Sequence, residues 1–132
     1  MQVPQSLLDD MVEHAVADAP NECCGLIGGR GDRATSLYRA RNAEQSPLRY
    51  SLAPGEQLAI MDRIDRAGEE LVGIYHSHTK TEAYPSQTDI NLAAGWPDPV
   101  YFIVSLMDPE TPEVRGFKIR DREVEDVDLQ VS

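Results

Sequence analysis

The chain has 132 residues, enough for one hydrophobic core but not two, so a single domain over residues 1–132 is expected. With 23 acidic against 12 basic side chains the net charge is −11, a sign that repels phosphate and offers no basic stripe for counterion release, so no nucleic acid is expected as a partner. No run reaches the ~20 apolar residues of a membrane span, and Met1-Gln2-Val3-Pro4 opens no basic-then-apolar leader, so no membrane contact is expected and the cytoplasm is the expected compartment.

In chain order, Ser6 with Asp9 three positions on predicts the cap of a first helix, with Leu7, Leu8, Met11, Val12, Ala15 and Val16 as its core-facing stripe and Pro20 beyond its end. His14 lies on the edge of that stripe and reads as structural. Cys23 to Ile27 predicts a strand, Gly28, Gly29 and Gly31 a turn, and Thr35, Leu37 and Tyr38 a second strand. After a loop with Pro47, Pro54-Gly55-Glu56 opens a second helix carrying Leu58, Ile60, Met61, Ile64 and Ala67, stopped by Gly68 at C′. Leu71-Val72-Gly73-Ile74-Tyr75 reads as a buried strand, Ser86 as the cap of a short helix through Ala94, and Val100 to Val104 as a central strand. Val114 to Ile119 and Val124 to Val127 form a hairpin across Asp121-Arg122. Strands alternating with helices predict an α/β fold, a mixed central sheet in a three-layer α/β/α arrangement.

The chemistry concentrates at the end of the Leu71–Tyr75 strand. Side chains alternate along a strand, so His76 and His78 project to one side about 7 Å apart, close enough for two imidazoles to share a cation, while Ser77 points away. Asp89 falls in the first turn of the next helix and supplies a carboxylate. Two imidazoles, one carboxylate and a fourth position left for water describe a catalytic rather than a structural zinc site. Ser86-x-x-Asp89 is, taken alone, also an ordinary capping pattern, and a strand histidine is usually a satisfied core residue. Two of only three histidines in this one cluster tip the constellation toward metal. Cys23 and Cys24 are adjacent and cannot close an ordinary loop; they read as reduced small hydrophobes, with a redox role left open.

Glu22, then His76-x-His78, seven residues, Ser86, two residues and Asp89 resembles the signature of the JAMM (MPN+) metallopeptidases, and the resemblance covers nearly the whole chain. Asn42-Ala43-Glu44, Gly55-Glu56-Gln57-Leu58 and Glu82-Ala83-Tyr84-Pro85-Ser86 are similar to the bacterial branch that removes cysteine from the C-terminus of a ubiquitin-like sulfur-carrier protein. Thr79 departs from the wider family, where proline often follows the second histidine, and agrees with that branch. The resemblance implies one Zn2+ ion with a catalytic water, held by His76, His78 and Asp89, and a cytidine-deaminase-like layered fold. It implies for Glu22 the role of general base and proton donor to the leaving amine, and for Ser86 a hydrogen bond to the oxyanion. Read alone, Glu22 is a solvated acid before a strand.

The expected substrate is therefore a ubiquitin-like sulfur carrier ending in Gly-Gly-Cys. Trimming or deconjugation of another ubiquitin-like protein, and a non-catalytic MPN binding module, are the alternatives; the module would be expected to lack a ligand, and none is missing. A zinc nucleobase deaminase would carry His-x-Glu and Pro-Cys-x-x-Cys, and the chain has neither. A homodimer, and iron or manganese in place of zinc, stay open at the level of sequence.

Overall fold

A computed structural model describes all 132 residues. Its elements are β1 (Gln2–Val3), α1 (Gln5–Asp18), β2 (Cys24–Arg30), β3 (Arg33–Ala40), α2 (Pro54–Arg66), β4 (Glu70–His78), α3 (Gln87–Leu92) with a 3₁₀ turn (Ala93–Gly95), β5 (Val100–Ser105), β6 (Glu113–Arg120), β7 (Glu123–Val127) and β8 (Gln130–Val131). The strands form one mixed sheet in the order β7-β6-β5-β4-β2-β3-β1-β8. β4 lies at its middle, parallel to β5 and antiparallel to β2.

Each face of the sheet carries its own core. Leu7, Leu8, Met11 and Ala15 of α1 pack on Ile27, Tyr75, Phe102 and Val104. Ile60 and Ile64 of α2, one turn apart, pack with Ala93 on Leu26, Ile74, Tyr101 and Ile103 of the other face. Burial of both faces explains why β4 and β5 read as continuous apolar runs, and it makes the expected three layers. In β4 the two-residue alternation is broken once. Ile27 pairs with Gly73 and Gly28 with Leu71, so Val72 is bulged out of the ladder. Beyond that bulge Ile74, His76 and His78 share the face covered by α2 and α3.

Four local expectations are corrected. α1 starts at Gln5, one residue before Ser6, with Pro4 at the N-cap (φ −64, ψ 142) and no side-chain cap. The Pro4 carbonyl accepts from the Leu7 and Leu8 N–H groups, so Ser6 lies inside the first turn. Val16 is exposed because His14 and Ala15 complete the buried stripe. Leu58 is likewise exposed, one residue off the Ile60–Ile64 stripe. Gly28 and Gly29 belong to β2 rather than to a turn: a Cβ on Gly29 would lie 2.1 Å from the Arg33 carbonyl oxygen, and only Gly31-Asp32 turns the chain. The turn at Asp121-Arg122 is as expected, with φ of 51 and 64 at the two residues, the mirror-image geometry that suits strand twist. β1 and β8, two residues each, lie outside anything periodicity could show.

No helix is long and apolar enough to cross a membrane.

Candidate metal centre

Strand pairing brings the upstream acid to the histidines. Cys24 pairs with His76, and the Cys23 N–H donates to Ser77 Oγ (2.8 Å) while the Ser77 N–H donates to the Cys23 carbonyl (3.1 Å). Carrying the antiparallel register two residues further sets Glu22 opposite His78. Residues directly opposite share a face, so Glu22, His76 and His78 lie together although 54 residues of sequence separate Glu22 from His76. Ser77 is used on the other face, as the alternation requires.

Asp89 arrives from above the sheet. Ser86 is the N-cap of α3 in extended conformation; its Oγ accepts from the Asp89 N–H (3.1 Å) and its own N–H donates to Asp89 Oδ2 (2.9 Å). The capping box thus aims the carboxylate inward, and the same Oδ2 lies 3.1 Å from His76 Nε2 and 3.0 Å from His78 Nε2. Capping and the inward aim of the Asp89 carboxylate, which compete as readings of Ser-x-x-Asp, are one arrangement here.

The donor set fits a small dication. The two Nε2 atoms are 3.1 Å apart, so the three donors form a nearly equilateral triangle with sides of 3.0 to 3.1 Å. Tetrahedral bonds of about 2.0–2.1 Å to zinc imply donor separations near 3.3 Å, a few tenths of an ångström more. His78 Nδ1–H donates to the Glu82 carbonyl (2.9 Å), which leaves the Nε2 lone pair aimed at the triangle. His76 is held differently. Its Nδ1 is buried without a partner, and its ring is stacked on Tyr50 with centroids 4.4 Å apart and planes at 20°. Tyr50 is a residue that sequence reading missed; an isolated aromatic in a loop carries no periodic signal. Asn42 supports that loop, donating to the Glu22 and Arg49 carbonyls and accepting from the Glu44 and Ser51 N–H groups.

Burial sets the electrostatics. Glu22 is 4% exposed with Oε1 unpartnered, and burial pushes its carboxyl up to about 7, opposed by His78 and assisted by Asp89. Burial also works against a charged Asp89, but the His76 imidazole, hydrogen bonds with both histidines and the Ser86 N–H hold its carboxyl well below the usual range. For His78 burial disfavours the imidazolium; the hydrogen bond to Asp89, the Glu82 carbonyl and the charges of Asp89 and Glu22 outweigh it and raise the pKa. Protonation of His78 and metal binding at its Nε2 therefore compete. The Cys23 and Cys24 thiols are fully buried and pushed up to about 12 by burial, a setting for packing rather than thiol chemistry. His14 is also buried, hydrogen-bonded to the Tyr75 hydroxyl (2.7 Å) on the opposite face.

Residues 4–120 match the family described as prokaryotic homologs of the JAB domain. The chain is 44% identical over 127 residues to the CysO-cysteine peptidase of Mycobacterium tuberculosis, covering 95% of this chain and 86% of that one. It is 38% identical over 103 residues to the desampylase of Haloferax volcanii, covering 76% and 73%. A solution structure of a protein from Desulfitobacterium hafniense matches with a TM-score of 0.90 at 34% identity, over all of this chain and 93% of that one.

Proposed function

The chain belongs to the family of prokaryotic JAB-domain homologues, and from that premise we propose that it is a zinc-dependent peptidase which hydrolyses the amide bond after the C-terminal Gly-Gly of a ubiquitin-like sulfur carrier, releasing cysteine. The observation that carries the reading is the convergence of His76, His78 and Asp89 on one point beside the buried carboxylate of Glu22. The cysteine preference is supported by the relative named CysO-cysteine peptidase, aligned over 95% of this chain.

His76 Nε2, His78 Nε2 and Asp89 Oδ2 would hold the ion. Bound there, zinc supplies a Lewis acid that polarises the scissile carbonyl and makes a water acidic near neutrality. Glu22 takes one proton from the attacking water as the C–O bond forms and delivers it to the departing nitrogen as the C–N bond breaks. The products are a Gly-Gly carboxylate and the free amine of cysteine. In the metal-free site burial lifts this carboxyl toward neutrality, and an adjacent dication would pull it back down, keeping Glu22 ionised to accept the water's proton. Ser86 Oγ already accepts from the Asp89 N–H, so its O–H proton is left to donate to the developing oxyanion.

The desampylase relative favours a second reading, in which the same site removes a ubiquitin-like protein from lysine conjugates. Intact-mass spectrometry separates the two. Incubation with a sulfur carrier bearing an added C-terminal Cys should remove one cysteine residue and restore Gly-Gly. Cleavage of lysine conjugates at a higher rate would favour the second reading, and failure on every Gly-Gly adduct at full zinc occupancy would remove both.

A further inference from the structure

The ligands His76, His78 and Asp89 lie next to an open cleft, with Tyr50 between His76 and the cleft. On β4 the step back from His76 along the same face is Ile74, about 7 Å away. Leu92, three residues beyond Asp89, ends α3, and Trp96 follows the 3₁₀ turn. Ile74, Leu92 and Trp96, with Tyr50, Leu52 and Tyr101, line a cleft of about 380 Å³. Its other lining residues are Ser51, Gln57 and Gly95, so no charged side chain faces it in a chain of net charge −11. Tyr50 is its shared wall with the candidate centre, one ring face against His76. The Tyr101 hydroxyl donates to the Trp96 carbonyl and fixes the far end. Leu92 at the rim is about half exposed (53%).

The geometry points to this cleft as a specificity subsite for one apolar side chain of the substrate's tail, at one of the two positions immediately before the Gly-Gly. The assignment rests on the proposed Gly-Gly peptidase reading. With the scissile carbonyl at the His76–His78–Asp89 triangle, two extended glycines cover about 7 Å, the step from His76 to Ile74, so the next side chains arrive over the cleft. Glycines carry no side chain past Tyr50, the wall between the centre and the cleft. An apolar side chain there removes its own surface and that of Leu92 and Trp96 from water; a charged one is desolvated with no counter-charge. Ser51 and Gln57 supply the few polar atoms an extended backbone needs.

Trp96 is the only tryptophan of the chain, so its emission reads this cleft alone. The probes are synthetic tail peptides ending in Gly-Gly, with leucine or lysine at each of the two preceding positions, added to the zinc-loaded full chain. The leucine peptides should shift Trp96 emission and inhibit cleavage at about ten- to hundredfold lower concentration than the lysine peptides, the worth of burying one aliphatic side chain. Leu92→Asp, at an exposed position, should weaken the leucine peptides about tenfold and strengthen the lysine ones, a reversal that impaired folding does not produce. Equal inhibition by both series, or inhibition without any change in Trp96 emission, overturns the subsite. The emission titration needs no turnover. Selective response to leucine peptides without cleavage of any Gly-Gly adduct would keep the subsite and refute the peptidase reading, and no response at saturating peptide would refute the subsite itself.

Discussion

Replacing Glu22 by Gln keeps the shape of the side chain and removes its charge, and two independent consequences follow from its burial. The first is kinetic: with the metal ligands untouched, zinc should stay bound while the proton transfer is lost, lowering turnover about 10²–10⁴-fold. The second is a stability difference in zinc-free protein. The Glu22 carboxyl is lifted from 4.5 to about 7 in the folded state, so the fold holds its proton more tightly than the unfolded chain does. Below pH 4.5 both states are protonated and the carboxyl costs nothing. Between 4.5 and 7 the unfolded state ionises first and stability falls, and above 7 the buried carboxylate costs the fold about 3 kcal/mol. Gln carries no such cost, and of the groups near it His78 also changes, losing the Glu22 charge that helps raise its pKa. Chemical denaturation of zinc-free wild type and Glu22→Gln from pH 4 to 8 should give a difference near zero at the acid end that grows in favour of Gln and levels off above pH 7. A difference flat across that range, or near-normal turnover of the zinc-loaded variant, would refute the buried-base assignment.

Ser86→Ala should retain zinc, lower turnover about 10²–10³-fold and cost the fold about 1 kcal/mol, because the hydroxyl that caps α3 is also the one proposed to donate to the oxyanion; parallel rate and denaturation measurements separate the two losses. Apparent zinc affinity, read by competition with a chromogenic chelator, should weaken as pH falls, since a raised His78 pKa means a proton competes for its Nε2. Tyr50→Ala should weaken zinc retention and destabilise the fold by a few kcal/mol, because His76 lacks a hydrogen bond at Nδ1 and the stack is what holds its ring; Tyr50→Phe should preserve both. Gly25→Ala should be strongly destabilising by thermal melting, since its Cβ would lie 2.2 Å from the Tyr75 ring.

What was legible in the sequence was whatever has a period or a fixed spacing. The alternation of His76 and His78 and the capping distance from Ser86 to Asp89 state their geometry outright. The long strands declared themselves by apolar runs, and the Gly68 stop (φ +73) by its position. Glu22 could be attached to the site only by resemblance, because its approach depends on the pairing of β2 with β4, which no local pattern encodes. Tyr50, Asn42 and the Glu82 carbonyl were illegible for the same reason: they act from loops, through a stack and backbone groups. Gly28 and Gly29 misled because glycine serves close backbone approach as well as turns, and Ser6 because the Pro4 carbonyl had already begun the helix.

The central claim is that one dication is held by His76, His78 and Asp89 and that hydrolysis depends on it. It is tested most directly by counting zinc per chain after exhaustive dialysis, in wild type and in His76→Ala, His78→Ala and Asp89→Ala, each then mixed with carrier–cysteine substrate. One equivalent in the wild type and loss of both zinc and cysteine release in each folded variant is the predicted result. Stoichiometric zinc in any of the three, or cysteine release from a variant that holds none, would contradict it.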